Sequence, residues 1–242
     1  MLLDPLIFFP DRYVPAAPAG IEERWITAED GVRLHAWYAA APGAIATLVW
    51  SHGNGGNIAG RLEVLLALRA RAFNVLAYDY RGYGRSAGRP SEPGCYRDAR
   101  AAYDDARARG ADPRSIVCFG ESLGGAVAIR LACERPCAGV AVVSTFTTLG
   151  EVARVHYGAL AALAGQRFDS LSRVRLLQVP VFVAHGDGDD LVPFPLGEAL
   201  YQAAPEPKRF FRAAGARHND VFAAPGLLDA IAEFARFTAI EA

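Results

Sequence analysis

The pentapeptide Gly-Glu-Ser-Leu-Gly at residues 120–124 constrains the fold of this chain more than any other part of its sequence. The apolar residues 115–119 before it predict a β-strand, and residues 125–132 after it predict a buried helix. A serine in the tight turn between a strand and a helix has a strained backbone and an exposed hydroxyl, and flanking glycines lack the β-carbons that would collide there. Ser122 is therefore a candidate nucleophile beside the positive dipole end of the predicted helix. The alternative is a glycine-rich turn in which Ser122 only caps the helix.

A second glycine-rich segment, residues 51–57, follows the apolar run 46–50. A strand that ends in His-Gly-Asn-Gly-Gly is able to aim a backbone N–H at the carbonyl oxygen of a substrate. We predict an oxyanion hole made by the backbone N–H groups of Asn54 and Leu123, and one such donor stabilises a transition state by about 2.7–4 kcal/mol. The alternatives are a plain turn and a phosphate-binding loop. A Walker loop ends in Gly-Lys-Ser/Thr, and the absence of lysine from this segment disfavours phosphate binding.

His218 is the histidine best placed to take a proton from Ser122. It follows the predicted strand 208–212, the last strand of the chain, whereas His35 lies within a strand pattern and His156 lies on a predicted helix. Serine is a weak nucleophile until a histidine removes its proton, and that histidine needs a carboxylate to fix its tautomer and to stabilise the imidazolium. A surface or structural role is the alternative for any single histidine.

The acidic partner is expected in the loop after the predicted strand 181–184. Three aspartates are crowded there: Asp187, Asp189 and Asp190. An acid after the serine, followed by the histidine, gives the chain order Ser…Asp…His, which differs from the orders of chymotrypsin and subtilisin.

With these motifs in place, the chain resembles the serine hydrolases of the α/β-hydrolase superfamily, and most of all the BEM46-like group and the ABHD13- and ABHD17-type proteins. The matching motifs lie at residues 52–57, 78–86, 120–125, 185–189 and 218–220. The likeness extends from about residue 22 to the end of the chain. It implies that the acid is Asp189, four positions after His185. It also implies an α/β-hydrolase fold with a cap over the site.

Residues 23–27 and 33–38 alternate like antiparallel strands around a turn at Asp30-Gly31, and six further, mostly continuous apolar runs suit a parallel sheet that is buried on both faces. The predicted strands are 23–27, 33–38, 46–51, 73–79, 115–120, 139–144, 180–185 and 208–213. Helical patterns lie at 58–71, 96–109, 123–134, 196–203 and 227–237. We predict an α/β fold with helices on both faces of the sheet, formed by residues 1–242 as a single domain.

A short insertion at about residues 145–179 is the predicted cap, with a helix at 150–164. Several of its apolar side chains are expected to shape an open pocket mouth, and they are Phe146, Leu149, Val152, Tyr157 and Phe168. Of these, Phe146, Leu149 and Val152 are the candidate substrate contacts. The alternative is that these side chains complete the core.

Composition excludes other classes of function. The chain has 25 basic and 26 acidic residues, a net charge of −1, and its arginines alternate with acids on the predicted helices. This pattern favours solvated helix faces over a nucleic-acid-binding patch. No residues have the spacing of a metal site, and the predicted chemistry requires no cofactor.

The four cysteines do not form a Cys-x-x-Cys pair; they are Cys95, Cys118, Cys133 and Cys137. Free thiols in a reducing cytoplasm are the simplest account, and a disulfide between Cys133 and Cys137 is the alternative. Residues 2–10 are apolar but are too short, and too interrupted by proline, to span a bilayer. We expect this segment to pack on the domain surface. The alternatives are weak membrane contact and an anchor trimmed from this end, since proteins of the resembled type often carry one.

These features predict a serine hydrolase that cleaves carboxylic esters with small or medium acyl groups. Ser122 attacks the carbonyl, His218 acts as base and then as acid, Asp189 orients His218, and the N–H groups of Asn54 and Leu123 hold the oxyanion. The resemblance also implies an alternative substrate, a thioester or an S-acyl protein. Amide cleavage is disfavoured because no charged pocket for a peptide terminus is evident. A non-catalytic binding protein on the same fold is the second alternative. The pattern leaves the oligomeric state open.

Overall fold

The computed structural model of the chain describes residues 4–158 and 165–241. Its ten strands are β1 (Phe9–Pro10), β2 (Glu22–Thr27), β3 (Arg33–Ala39), β4 (Ala46–Ser51), β5 (Gly55–Gly56), β6 (Phe73–Tyr78), β7 (Ile116–Glu121), β8 (Gly139–Val143), β9 (Val181–Gly186) and β10 (Lys208–Ala213). Its α-helices are α1 (Asp4–Ile7), α2 (Leu62–Ala70), α3 (Glu92–Ala108), α4 (Leu123–Glu134), α5 (Leu149–Tyr157), α6 (Ser170–Val174), α7 (Phe194–Ala203) and α8 (Leu227–Glu241).

Eight of these strands form one sheet in the order β10-β9-β8-β7-β4-β6-β3-β2. Strand β3 runs antiparallel to both of its neighbours, and every other neighbouring pair in this sheet is parallel. Every residue of β4, β8 and β9 is buried, as expected for parallel strands covered by helices on both faces. The predicted eight-stranded, mostly parallel sheet is confirmed, and each strand ends within one residue of its predicted bounds.

Two apolar cores lie on opposite faces of the sheet, because successive side chains of a strand point to opposite sides. Val49 of β4 packs on the side of α3 and α4. Its neighbours Leu48 and Trp50 pack on the side of α2 and α8. The central strands are therefore fixed from both sides, and the loops at their carboxyl ends start from rigid positions.

Several helix boundaries differ from the sequence prediction. Helix α3 begins at Glu92 rather than at residue 96, because Ser91 caps it and Pro93 fits the first turn, where its missing N–H is not needed. The predicted helix 58–71 divides into a 3₁₀ turn, Ile58–Arg61, and α2. Helix α6 was not predicted; five residues are too few to show a helical period.

The described part of the N-terminal segment, residues 4–10, packs on the domain surface, with Phe8 buried and Phe9 exposed. Strand β1 pairs in parallel with β5, with Phe9 opposite Gly55 and Pro10 opposite Gly56. This two-stranded sheet was not predicted, because two residues carry no alternation. No helix in residues 4–158 and 165–241 is both long and apolar enough to cross a membrane.

The four cysteines are free thiols, so the alternative disulfide between Cys133 and Cys137 is not formed. Cys118 is buried in β7, as its apolar sequence context predicted. Cys95 is buried on α3, and this burial raises the pKa of its thiol.

A buried ion pair fixes the chain where it leaves β6. Asp98 of α3 accepts hydrogen bonds from the backbone N–H of Arg81 at 2.8 Å and from its Nε at 2.9 Å. Asp30, in the turn between β2 and β3, accepts two more hydrogen bonds from the same guanidinium at 2.7 and 3.1 Å. The segment after β6 is thus held to α3 and to the antiparallel edge of the sheet.

The substitution Asp98→Asn should lower the free energy of unfolding by about 1.5–3 kcal/mol, because it removes the fully buried one of the two carboxylates that pair with Arg81 and leaves only the partly exposed Asp30. The matched control is Asp104→Asn on the same helix, where the pair with Arg135 is exposed. That control should change stability by less than about 1 kcal/mol. Urea denaturation at pH 7, followed by circular dichroism, measures both values. An equal loss in the two variants would contradict the prediction.

Candidate active site

Ser122 occupies the turn between β7 and α4, with φ 50° and ψ −120°. Few residues other than glycine adopt such a positive φ, and here the neighbouring chain segments enforce it. A β-carbon on Gly124 would lie 1.9 Å from the carbonyl oxygen of Ser51, and one on Gly120 would lie 2.2 Å from the carbonyl oxygen of Gly124. Only glycine fits at these two positions, and the turn therefore holds β4, β7 and α4 in close contact.

His218 lies between the serine and an acid. Its Nε2 is 3.1 Å from Ser122 Oγ, and its Nδ1 is 2.8 Å from Asp189 Oδ2. The carboxylate accepts the proton on Nδ1, which leaves Nε2 as the acceptor for the serine hydroxyl. The structure therefore brings together the three residues that the sequence identified. Along the chain, His218 is 29 residues from Asp189 and 96 residues from Ser122.

Asp189 is held by several donors. Its Oδ1 accepts the backbone N–H groups of Leu191 at 3.0 Å and Val192 at 2.8 Å. His185 Nε2 lies 3.3 Å from Asp189 Oδ2 and 2.9 Å from the carbonyl oxygen of Val192. Burial raises the pKa of Asp189, but the hydrogen bonds from His185 and His218 outweigh it and hold the pKa well below its usual value. The carboxylate is therefore ionised at neutral pH.

The other two aspartates of the loop have different partners. Asp187 accepts the N–H of Gly215 at 2.6 Å and pairs with Arg212 at 2.9 Å. Asp190 pairs with the exposed Arg217. Of the three crowded acids, Asp189 is the one in contact with His218.

Residues 51–57, which we call the oxyanion loop after the role predicted for Asn54, pack through Ser51 and His52 against Gly124 at the start of α4. The Nδ1–H of His52 donates to the carbonyl oxygen of Gly53 at 2.6 Å. Because a trans peptide directs its C=O and N–H to opposite sides, this bond fixes the direction of the Asn54 N–H. No hydrogen bond of that N–H occurs within the described part of the chain. The N–H of Leu123, the first residue of α4, has no acceptor within the helix.

Glu121, the residue before Ser122, connects the turn of Ser122 to the oxyanion loop. Its Oε1 accepts the N–H of Gly53 at 2.9 Å and the Nε–H of Arg61 at 2.8 Å. Arg61 also donates to the carbonyl oxygen of Gly55 at 2.6 Å. Sequence reasoning did not identify these roles, because the partners lie 60 and 68 residues apart along the chain.

His52 has a structural role that the sequence also did not reveal. It is buried against the rings of Tyr80 and Tyr83, with centroids 4.5 and 5.4 Å away. Burial, together with the nearby positive charge of Arg61, lowers the pKa of His52 to about 4. The ring is therefore neutral at pH 7, and the short contact to Gly53 assigns its one proton to Nδ1.

The predicted substrate contacts lie at the start of the cap. Phe146 is buried in the core, while Leu149 and Val152 pack against the same core with part of their surfaces exposed. Phe168 is fully buried. The side chain of Tyr157 and residues 159–164 of the predicted helix lie outside the described residues. His156 of α5 contacts the carbonyl oxygen of Leu191 through Nε2 at 2.7 Å and so joins the cap to the loop of Asp189.

Comparison with known proteins agrees with this architecture. The family described as serine aminopeptidase S33 (Hydrolase_4) matches residues 42–173. Protein Rv2307c of Mycobacterium tuberculosis (strain H37Rv) is 41% identical over 247 residues, which cover 97% of this chain and 88% of that protein. Protein YfhR of Escherichia coli (strain K12) is 32% identical over 226 residues, which cover 89% of this chain and 80% of that protein.

Among solved structures, the esterase Pf2001 of Pyrococcus furiosus matches with a TM-score of 0.80 and 21% identity, over 95% of this chain and 98% of that one. At this identity the match demonstrates a shared fold. The family match covers more than half of the chain, and the bacterial relatives extend it to nearly the whole length. The chain therefore belongs to the serine aminopeptidase S33 family of hydrolases and has the α/β-hydrolase fold that its sequence predicted.

Proposed function

We propose that this hydrolase cleaves carboxylic esters with small or medium acyl groups through an acyl-enzyme on Ser122. One observation carries the proposal: a continuous hydrogen-bond chain from Ser122 Oγ through His218 to Asp189, starting at a strained turn beside the N-terminus of α4. A serine hydroxyl held by an imidazole, which is in turn oriented by an ionised carboxylate, is the arrangement that acyl transfer needs.

The mechanism follows from the direction of these hydrogen bonds. Ser122 Oγ attacks the ester carbonyl while its proton passes to Nε2 of His218, and the resulting imidazolium is stabilised by Asp189. The N–H groups of Asn54 and Leu123 hold the oxygen that becomes negative. His218 then donates the proton to the leaving alcohol as the acyl-enzyme forms. Water, deprotonated by the same histidine, attacks the acyl-enzyme and releases the acid and free Ser122.

Esters fit this site better than peptides with a free amino terminus, the substrates to which the family name aminopeptidase refers. A free α-ammonium group needs a carboxylate partner. In the loops that carry Asp189 and His218, however, the other described acids are engaged, since Asp187 and Asp190 pair with arginines and Asp220 accepts the N–H of Arg217. The partly exposed Leu149 and Val152 instead offer an apolar surface to an acyl chain. The resemblance to the BEM46-like and ABHD17-type proteins supports thioesters as the second substrate class.

Replacing the nucleophile tests the chemistry. Ser122→Ala should lower kcat for p-nitrophenyl butyrate by about 10⁴-fold or more. A fluorophosphonate probe should add once to the parent protein, at Ser122, as measured by intact mass and peptide mapping. The matched control is Ser144→Ala, because Ser144 also has a positive φ (49°) and follows the next strand, but is buried. Labelling or turnover that survives Ser122→Ala would overturn the proposal.

Replacing the acid tests its assignment. Asp189→Asn should reduce kcat by about 10⁴-fold, because an amide does not stabilise the imidazolium and favours the wrong tautomer of His218. Asp190→Asn, which removes only an exposed ion pair, should leave kcat within about 2-fold. Steady-state kinetics on purified variants gives both values. A greater loss in Asp187→Asn than in Asp189→Asn would show that the acid is misassigned.

Acyl length tests the substrate class. Each buried methylene contributes about 0.8 kcal/mol, so kcat/KM should rise about 4-fold per methylene from acetyl to butyryl or hexanoyl esters and then level off. Leu149→Ala should reduce the butyryl-to-acetyl ratio. The control Leu176→Ala, at a leucine that is 69% exposed, should not. Efficiency that keeps rising to palmitoyl substrates, above all in a parallel series of thioesters, would favour a depalmitoylase instead.

A further inference from the structure

The oxyanion loop has little intrinsic conformational preference, because three of its seven residues are glycines: Gly53, Gly55 and Gly56. Its shape therefore depends on the groups that surround it. Glu121 and Arg61 hold one side of the loop, as described above. The other side contacts residues 4–14, which we call the N-terminal strap.

The strap follows the oxyanion loop over most of its length. Beyond the β1–β5 pairing, the N–H of Asp11 donates to the carbonyl oxygen of Gly56 at 3.1 Å. Asn57 Nδ2 donates to the carbonyl oxygens of Asp11 at 3.2 Å and of Tyr13 at 2.7 Å. These contacts fix the second half of the loop, after Asn54.

Asn54 itself is held through its side chain by the strap and by the segment after β6. Its Nδ2 donates to the carbonyl oxygen of Ile7 at 2.5 Å, and its Oδ1 accepts the hydroxyl of Tyr83 at 2.8 Å. Burial raises the pKa of Tyr83, so its hydroxyl keeps its proton and acts as a donor. The side-chain amide is thus bound at both ends, by groups 47 and 29 residues away along the chain.

The strap is itself firmly attached. Phe8 is buried, and its ring packs edge-on against Phe168 with centroids 6.1 Å apart. The N–H of Gly84 donates to the carbonyl oxygen of Asp11 at 2.8 Å, and Asp4 pairs with Arg167. Contacts on three sides therefore hold the strap against the oxyanion loop.

We propose that Tyr83 and the strap carbonyl of Ile7 are positioning groups of the oxyanion hole, which clamp the Asn54 side chain so that its backbone N–H points at the developing oxyanion. This inference rests on the proposed function. Tyr83 belongs to the motif at residues 78–86, which contributes no group to the proposed acyl transfer, and the inference gives that motif a role. A hydrogen-bond donor that shifts by a fraction of an ångström loses transition-state stabilisation without losing substrate binding.

Two substitutions separate the halves of the clamp. Tyr83→Phe removes the hydroxyl that donates to Asn54 Oδ1 and keeps the ring that packs on His52. Asn54→Asp keeps an acceptor for Tyr83, loses the donor to the Ile7 carbonyl and leaves the backbone N–H in place. Each variant should lower kcat for p-nitrophenyl butyrate by about 10- to 100-fold, with KM within about 2-fold of the parent.

Matched controls remove the same groups elsewhere. Tyr103→Phe deletes a buried hydroxyl that donates to the carbonyl oxygen of Pro136, and Asn74→Asp changes an amide at the other end of the sheet. Both should lower Tm and leave kcat within about 2-fold. If Tyr83 had a purely structural role, Tyr83→Phe would likewise lower Tm and leave kcat within about 2-fold. That result would contradict the inference.

A boronic acid inhibitor gives the decisive readout, because its tetrahedral adduct with serine places an oxygen in the oxyanion hole. Across the parent, Tyr83→Phe and Asn54→Asp, its inhibition constant should rise by the same factor as kcat/KM falls. The inference would be overturned if kcat and the inhibition constant were unchanged in both variants, or if the variants changed only Tm or KM. The proposed function would still stand in either case. If Ser122→Ala keeps the parent's turnover, the proposed function fails first, and the inference fails with it.

Discussion

The close approach of β4, β7 and α4 is the constraint on which the site depends. Gly124 lies so near the carbonyl group of Ser51 that no side chain fits between them. This contact sets the start of α4 against the start of the oxyanion loop, which brings the proposed nucleophile and the expected oxyanion donors to the same place. The strained backbone of Ser122 is a consequence of this packing, and the buried sheet below keeps it from relaxing.

The remaining parts of the site come from loops at the carboxyl ends of neighbouring strands. Parallel strands present these ends at one edge of the sheet, so residues far apart in sequence meet there. Asp189 follows β9 and His218 follows β10, the two strands next to each other at the sheet edge. The segment after β6 reaches the same edge with Tyr80 and Tyr83, whose hydroxyls donate to His52 and Asn54 of the oxyanion loop.

The sequence was informative where a local pattern determines the structure. Mostly continuous apolar runs located six strands of the main sheet, and alternation around a turn located β2 and β3. The Gly-x-Ser-x-Gly turn, the late histidine and the resemblance located Ser122, His218 and Asp189, which the structure places in contact. The supporting contacts were not predictable in the same way. The Glu121–Gly53 and Tyr83–Asn54 pairs join residues 68 and 29 positions apart and belong to no periodic pattern.

The two backbone N–H groups that bind Asp189 have a consequence for charge movement during a reaction. Leu191 and Val192 hold one carboxylate oxygen without involving His218, and His185 supports the other. Because none of these donors belongs to His218, a proton transfer to that ring breaks none of them. In the proposed acyl transfer, little dipole reorientation is then needed when positive charge appears on the ring, and a low reorganisation energy for that step follows.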